Sequence, residues 1–211
     1  MTPLATLLTL ADSRLPTGGH VHSGGVEEAV AEGLVRDLAT LRAFLRRRIS
    51  TTGLVGASIA AAVHDGALSV TQADVETDAR TPSPAARQAS RAQGRGLVRL
   101  ARRVWPEGHW DALGTTPHLA VATGCAGAAG GLEPDQTALT VVYTTMTGSA
   151  TAAQRLLALD PGDVAALTFE LSTLCDQTSA AACKELADLS DPLLDVLAQR
   201  HTERERPLFV S

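Results

Sequence analysis

Aromatic residues make up only 3% of this 211-residue chain, and lysine is reduced to Lys184. Its three cysteines include no CxxC pair. Each shortage excludes something. A β-sandwich wants Val, Ile, Tyr and Phe on its strands, whereas alanine and leucine carry most of the 45% apolar content here; that favours close-packed helices. A phosphate-binding or Schiff-base lysine has one candidate, and Lys184 sits in no recognisable motif. Cys125, Cys175 and Cys183 are an odd set without a disulfide-framework spacing, so a reducing compartment is the natural reading; their surroundings point to core or near-core positions. No unbroken apolar run approaches the ~18 residues of a membrane span, and the amino terminus lacks the charged region of a signal peptide. A cytoplasmic location without membrane attachment is therefore expected. The net charge of −5 gives no global attraction to nucleic acid or anionic lipid.

What is present is helical periodicity. Leu4, Leu7, Leu8 and Ala11 mark a short amphipathic helix ended by Pro16 and Gly18-Gly19. Ser23 is positioned to cap a second helix carrying Val26, Ala29 and Val30. A third runs from Asp37 to Asp65-Gly66, with Gly53 and Gly56 inside it to let another helix approach. Further helices are expected over 69–79 and 85–104, and from Thr116-Pro117 as cap and first residue to Gly130-Gly131. Others start at Glu133-Pro134, fill 163–188, and follow Ser190-Asp191-Pro192. The β-branched run at 137–146 repeats at three and four rather than at two. The expectation is an all-α, single-domain bundle of about eight to ten helices over residues 1–199, followed by a charged tail, 200–211, ending in Leu208, Phe209 and Ser211.

The stretch from Leu10 to Glu27, LADSRLPTGGHVHSGGVE, compresses a helix end, a Pro-Gly-Gly turn, two histidines and a new helix start. Its glycine pairs do not form a nucleotide loop, since GxxxxGK[ST] and a preceding strand are both missing; they read as backbone geometry. His20 and His22 have a spacing compatible with two metal ligands from one loop, but three or four are needed and no third stands at a fixed spacing. Hydrogen-bonded neutral histidines are the commoner state of such a pair. There is no GxSxG elbow to build a nucleophile, and no catalytic residue is assigned. Between Asp78 and Glu107 there is no acid, and Arg87, Arg91, Arg95 and Arg99 recur every four residues, giving one basic stripe on a helix, extended towards Arg103. Intramolecular acidic partners or solvent, an acidic protein, and nucleic acid are the three readings of that stripe. The last lacks interleaved aromatics to stack on bases.

The Leu10–Glu27 stretch closely resembles the amino-terminal signature of the urease accessory protein F family (UreF), with His20 where an aromatic is usual. Three weaker likenesses accompany it: Ala89, Ser90, Gly94 and Arg95; His118 opening a small-residue helix with Gly124, followed by Arg155-Leu156; and a carboxyl end with His201, Leu208, Phe209 and Ser211. The chain departs from the family pattern at Asp160-Pro161-Gly162 and at Pro207. The resemblance implies an α-helical homodimer without catalysis or cofactor of its own. It would be a scaffold that binds the D/H-type accessory protein, recruits the nickel-binding accessory GTPase (protein G) and presents both to apo-urease for GTP-dependent nickel insertion. On this reading Pro16, Thr17, Gly18, Gly19, His22, Ser23, Gly24 and Glu27 shape a dimer interior or nickel passage. Arg87, Arg91, Arg95, Arg99, His201, Leu208, Phe209 and Ser211 meet partners, and residues 200–211 order only on binding. The rival is a helical nucleic-acid-binding protein using the arginine stripe over 87–103.

Overall fold

Local chemistry starts most of the helices. Asp37 caps α3 (Leu38–Arg48) by accepting from the Thr40 amide at 2.8 Å, and Thr40 returns its hydroxyl to the Asp37 end in a reciprocal box. Ser69 does the same with Gln72 at α5 (Val70–Ala79). Ser83, Asp160 and Asp191 cap α6 (Pro84–Val104), α9 (Pro161–Ala182) and α10 (Pro192–His201), each followed by a proline whose missing N–H is no loss in a first turn. Such caps contribute about 1 kcal/mol each. The remaining helices are α1 (Leu4–Leu10), α2 (Val26–Ala31), α4 (Leu54–His64), α7 (Leu119–Ala129) and α8 (Pro134–Leu157). The computed structural model describes residues 3–188, 191–205 and 207–209, without the side chain of His20. Among the described residues there is no strand, and the chain is all-α in one domain.

α3 and α4 form one continuous rod through a π-helical turn at Ile49–Gly53. Its glycines act as expected: a Cβ on Gly56 would lie 3.2 Å from Val141 of α8. α8 is the axis of the molecule. It packs against α4, α7 and α9 and also touches α2 and α3. The main core gathers Leu41, Leu45 and Ile49 from the rod, Val142 and Met146 from α8, Leu167 and Leu171 from α9, and Leu197 from α10. A second core lies under α1, α6 and α7 around Leu97, Ala101, Trp110 and Ala122. A third joins α4, α5 and α7 through Ile59, Ala73 and Val121.

Three details depart from the sequence reading. α7 is capped by His118 in extended conformation, not by Thr116, because the His118 imidazole and backbone are held by side chains of α5 and α6. Gly25, with φ +86°, replaces Ser23 as the N-cap of α2. α9 stops at Ala182, and Cys183 beyond it is exposed rather than near-core, while Cys175 is buried and Cys125 half-buried.

With few bulky side chains, the helices meet through glycine. A Cβ on Gly124 of α7 would sit 2.6 Å from the Ala60 carbonyl of α4, and one on Gly94 of α6 would collide with the Pro117 carbonyl. Gly148, inside α8, has nothing within 4 Å of its Cβ position. Gly94→Ala should therefore lower the free energy of unfolding by about 1–3 kcal/mol through overpacking. Gly148→Ala should raise it by about 0.5–1 kcal/mol through the ordinary helix preference. Urea denaturation of the two variants checks both signs.

Candidate functional site

Three constellations concentrate the polar chemistry. The first is built on Glu27, the last residue of the Leu10–Glu27 stretch. Left-handed glycines at Gly18 (φ +83°), Gly24 (φ +64°) and Gly25 (φ +86°) turn the chain so sharply that α2 starts with its side chains inside the molecule. Thr17 is laid against α6, where a Cβ on Gly96 would come within 2.7 Å of the Thr17 carbonyl. Glu27 is then 2% exposed, and a carboxylate so placed needs donors. It has them: His201 Nε2 lies 2.7 Å away, and the amides of Leu208 and Phe209 donate at 2.8 and 3.0 Å. Burial alone would raise the Glu27 carboxyl, but the three bonds outweigh it and hold it below the ordinary glutamate range. Arg204 pairs with Glu28 at 3.1 Å, and Arg200 with Glu32 at 3.2 Å. Ser23 supports the start of α2 by accepting the Glu27 amide at 3.4 Å, and its carbonyl accepts from Ser149 of α8 at 3.1 Å.

Part of the expected tail is packed onto the bundle in this structure. α10 runs through the 199/200 boundary to His201, which is 2% exposed, and Phe209 is buried at 8%. The segment is pinned by a carboxylate of the signature itself. Leu208, by contrast, is 78% exposed. Ser211 lies outside the described residues.

The second constellation surrounds His118, which is completely buried. Its Nε2 faces Asp78 Oδ1 at 2.9 Å, its Nδ1 faces the Ser90 hydroxyl at 3.0 Å, and its own amide donates to Asp74 at 3.2 Å. Desolvation dominates the imidazole and lowers its pKa despite Asp78, so the ring is neutral: Nε2–H donates to Asp78 and Nδ1 accepts from Ser90. Ser90 Oγ also accepts the Leu119 amide at 3.1 Å. Serine, histidine and aspartate thus stand in the order of a hydrolase relay, but the ring is sealed in and the hydroxyl is committed to the start of α7. The arrangement joins α5, α6 and α7. Asp74, Asp78 and His118 also present ligand atoms within 4.8 Å of one another, a spacing a metal ion could use. Arg91 already supplies the positive charge there, bridging Asp74 at 2.9 Å and Asp78 at 2.8 Å and donating to the Thr116 carbonyl at 2.6 Å.

Arg91 therefore divides the basic stripe. Arg87 is likewise engaged, through the Thr81 and Pro82 carbonyls at 2.7 and 3.1 Å. Arg95 and Arg99 are exposed and have no ion pair among the described residues. What remains of the stripe is the carboxyl half of α6, where Arg102 pairs with Asp111 at 2.6 Å. Half a stripe suits a small acidic patch better than a nucleic-acid backbone, which takes many phosphate contacts.

The third constellation is a cavity of about 240 Å³ bounded by the signature loop, α8 and Phe209. Thr17, Gly19, His22 and Gly24 line it, so the structure brings much of the sequence-derived loop set to one wall. Arg48 lines it too. Sequence reading missed Arg48, Asp74 and Asp78. The i,i+4 pair of aspartates on α5 was a visible signal, but only tertiary structure shows that it faces Arg91.

The UreF family model matches residues 35–172. Curated relatives named urease accessory protein UreF extend the similarity over all of this chain and all of their own length. The protein of Mycolicibacterium vanbaalenii is 79% identical, that of Mycobacterium sp. strain JLS 76%, and that of Mycobacterium tuberculosis 69%. No described helix is long and apolar enough to cross a membrane.

The pH dependence of the Glu27 junction has a definite sign. Its folded pKa is depressed, so its contribution is full above the ordinary value of 4.5 and is lost as the pH falls from there through the folded value. Glu27→Gln should mimic the acid state at neutral pH, costing about 1–3 kcal/mol. It should also remove hydrogen-exchange protection from the Leu208 and Phe209 amides while leaving α4 and α8 protected.

Proposed function

The chain belongs to the UreF family, and from that membership we propose that it is a non-catalytic scaffold of urease maturation. In this reading it bridges a D/H-type accessory protein and the nickel-binding accessory GTPase, and offers the assembly to apo-urease. Nickel is cargo, and its insertion is driven by GTP hydrolysis on the GTPase rather than by chemistry on this chain. The scaffold works in the cytoplasm as a homodimer and needs no cofactor of its own.

The observation that carries the reading is the Glu27 junction. A scaffold has to present surfaces of fixed shape, and ordering a flexible segment at the moment of binding weakens association. Glu27 ties the signature loop to His201, Leu208 and Phe209, with Leu208 left exposed as an apolar anchor beside a buried Phe209. The exposed Arg95 and Arg99 offer a second, electrostatic contact to an acidic partner. The engagement of Arg87 and Arg91 keeps α6 rigid beneath it.

Co-expression with the D/H-type protein and the GTPase, followed by size-exclusion chromatography with light scattering, tests the proposal. Co-elution of all three with two copies of this chain is expected; well-folded components that fail to associate overturn it. Arg95→Glu with Arg99→Glu should slow association and reduce its salt dependence without altering stability. The nickel-passage role of the loop is tested separately. His20→Ala with His22→Ala should lower the nickel content of urease in cells, and unchanged content leaves the loop a purely geometric role.

A further inference from the structure

Arg48 is a half-buried cation that the scaffold reading does not use. It is the last residue of α3, and its Nη1 donates to the Gly24 carbonyl. The guanidinium fills the space beside that glycine: a Cβ there would lie 2.6 Å from Nη2. Its Nε is buried without a hydrogen-bond partner. Arg42 and Arg204 share an unpartnered Nε, but each is paired with a carboxylate, Glu170 for the first and Glu27 and Glu28 for the second. Arg48 has no such pair among the described residues; the carboxylate acting on it from a distance, Asp191, is already bonded to Arg47. Burial pushes the Arg48 guanidinium down to about 10, still charged at neutral pH. The residue is half-buried, but its Nε is sealed off with neither counter-ion nor hydrogen bond, and such a group calls for a partner.

The cavity that Arg48 lines offers donors for such a partner, from half-buried Thr17 and Thr145 and from exposed Ser13 and Thr151. The hydroxyls of Ser13, Thr17, Thr145 and Thr151 line the space and make no hydrogen bond among the described residues. Arg155 adds a second positive charge to the lining. The acid in the lining, Asp12, is neutralised by Arg14 at 2.6 Å. Leu10, Leu15 and Phe209 supply apolar walls, which strengthen a charge-assisted bond by excluding water. The balance is positive, rich in donors and short of acceptors with charge.

We propose that the Arg48 cavity is a binding site for a small carboxylate-type oxyanion, held by the guanidinium and by the free hydroxyls of Ser13 and Thr145. The charge it neutralises lies against Gly24, so occupancy rigidifies the turn that leads into α2. The same chemistry can arrive free in solution, as acetate or bicarbonate, or as an Asp or Glu side chain carried by a partner protein. This site does not depend on the scaffold reading, and the isolated chain suffices to test it.

The probes are 13C-labelled acetate and bicarbonate, added to the full chain at constant ionic strength with chloride as the reference salt. The expected result is saturable line broadening of the probe together with a shift of the Arg48 Nε–H resonance. Arg48→Gln should weaken acetate binding at least tenfold, and Ser13→Ala with Thr145→Val severalfold. If Arg48→Gln fails to fold, the Nε–H resonance of the unaltered chain decides. An Nε–H signal that does not move with either probe up to tens of millimolar, or that moves equally with chloride, overturns the proposal. Once binding is seen, addition of the D/H-type protein separates the sources: displacement of bound acetate assigns the site to a partner carboxylate, and retention assigns it to the free anion.

Discussion

Helices that meet through small residues can exclude water only by bringing their backbones together, and that constraint governs this molecule. α4, α7 and α8 meet where one side contributes almost no side chain: Gly124 against the Ala60 carbonyl, Gly56 against Val141. Dispersion between closely packed atoms is weak per pair and large in sum, so the long α8 can serve as an axis with few large residues of its own. The same closeness leaves little tolerance, because a core at crystal-like density has no slack to absorb a methyl group. Two of the polar constellations are suspended from this centre. α2 leans on α8 through Ser23 and Ser149, and the start of α7 is fixed by Asp74, Asp78 and Ser90.

Around that centre, buried charge is handled in three ways. Glu27 is satisfied by donors that come from a distant part of the chain. His118 avoids charge altogether and spends both ring nitrogens on neighbours. Arg48 retains a charge that nothing described in the molecule balances. The first two produce rigid joints between elements, as fully satisfied polar networks do. The third leaves a local excess of positive potential next to the same turn.

Much of the helical order was legible because it is written locally. Asp37 and Ser69 sit just before apolar periodicity and Pro134 opens a helix, whereas Pro84 and Pro161, which read as linker and break, are first-turn residues; caps and prolines act within three or four residues. Thr116-Pro117 imitated that signal, and His118 displaced it because its bonds come from α5 and α6, which no local pattern reveals. The arginine stripe was correctly placed on one helix, yet its division into engaged Arg87 and Arg91 and exposed Arg95 and Arg99 depends on elements elsewhere. The contacts of the tail are illegible in the sequence for a related physical reason. A charged stretch ending in Leu-Phe has the composition of a disordered segment, and only the fold reveals the buried carboxylate waiting for its amides.

The bond between Glu27 and the Phe209 amide spans 182 positions of sequence. At ribosomal rates of ~5–20 residues per second, the carboxylate is made roughly 10–40 s before the amide that completes its shell. Until those donors exist, burying Glu27 would leave its charge unsatisfied, so the turn into α2 closes only after Leu208 and Phe209 have been made. A chain interrupted before Leu208 would thus carry the Leu10–Glu27 turn without its closing contacts.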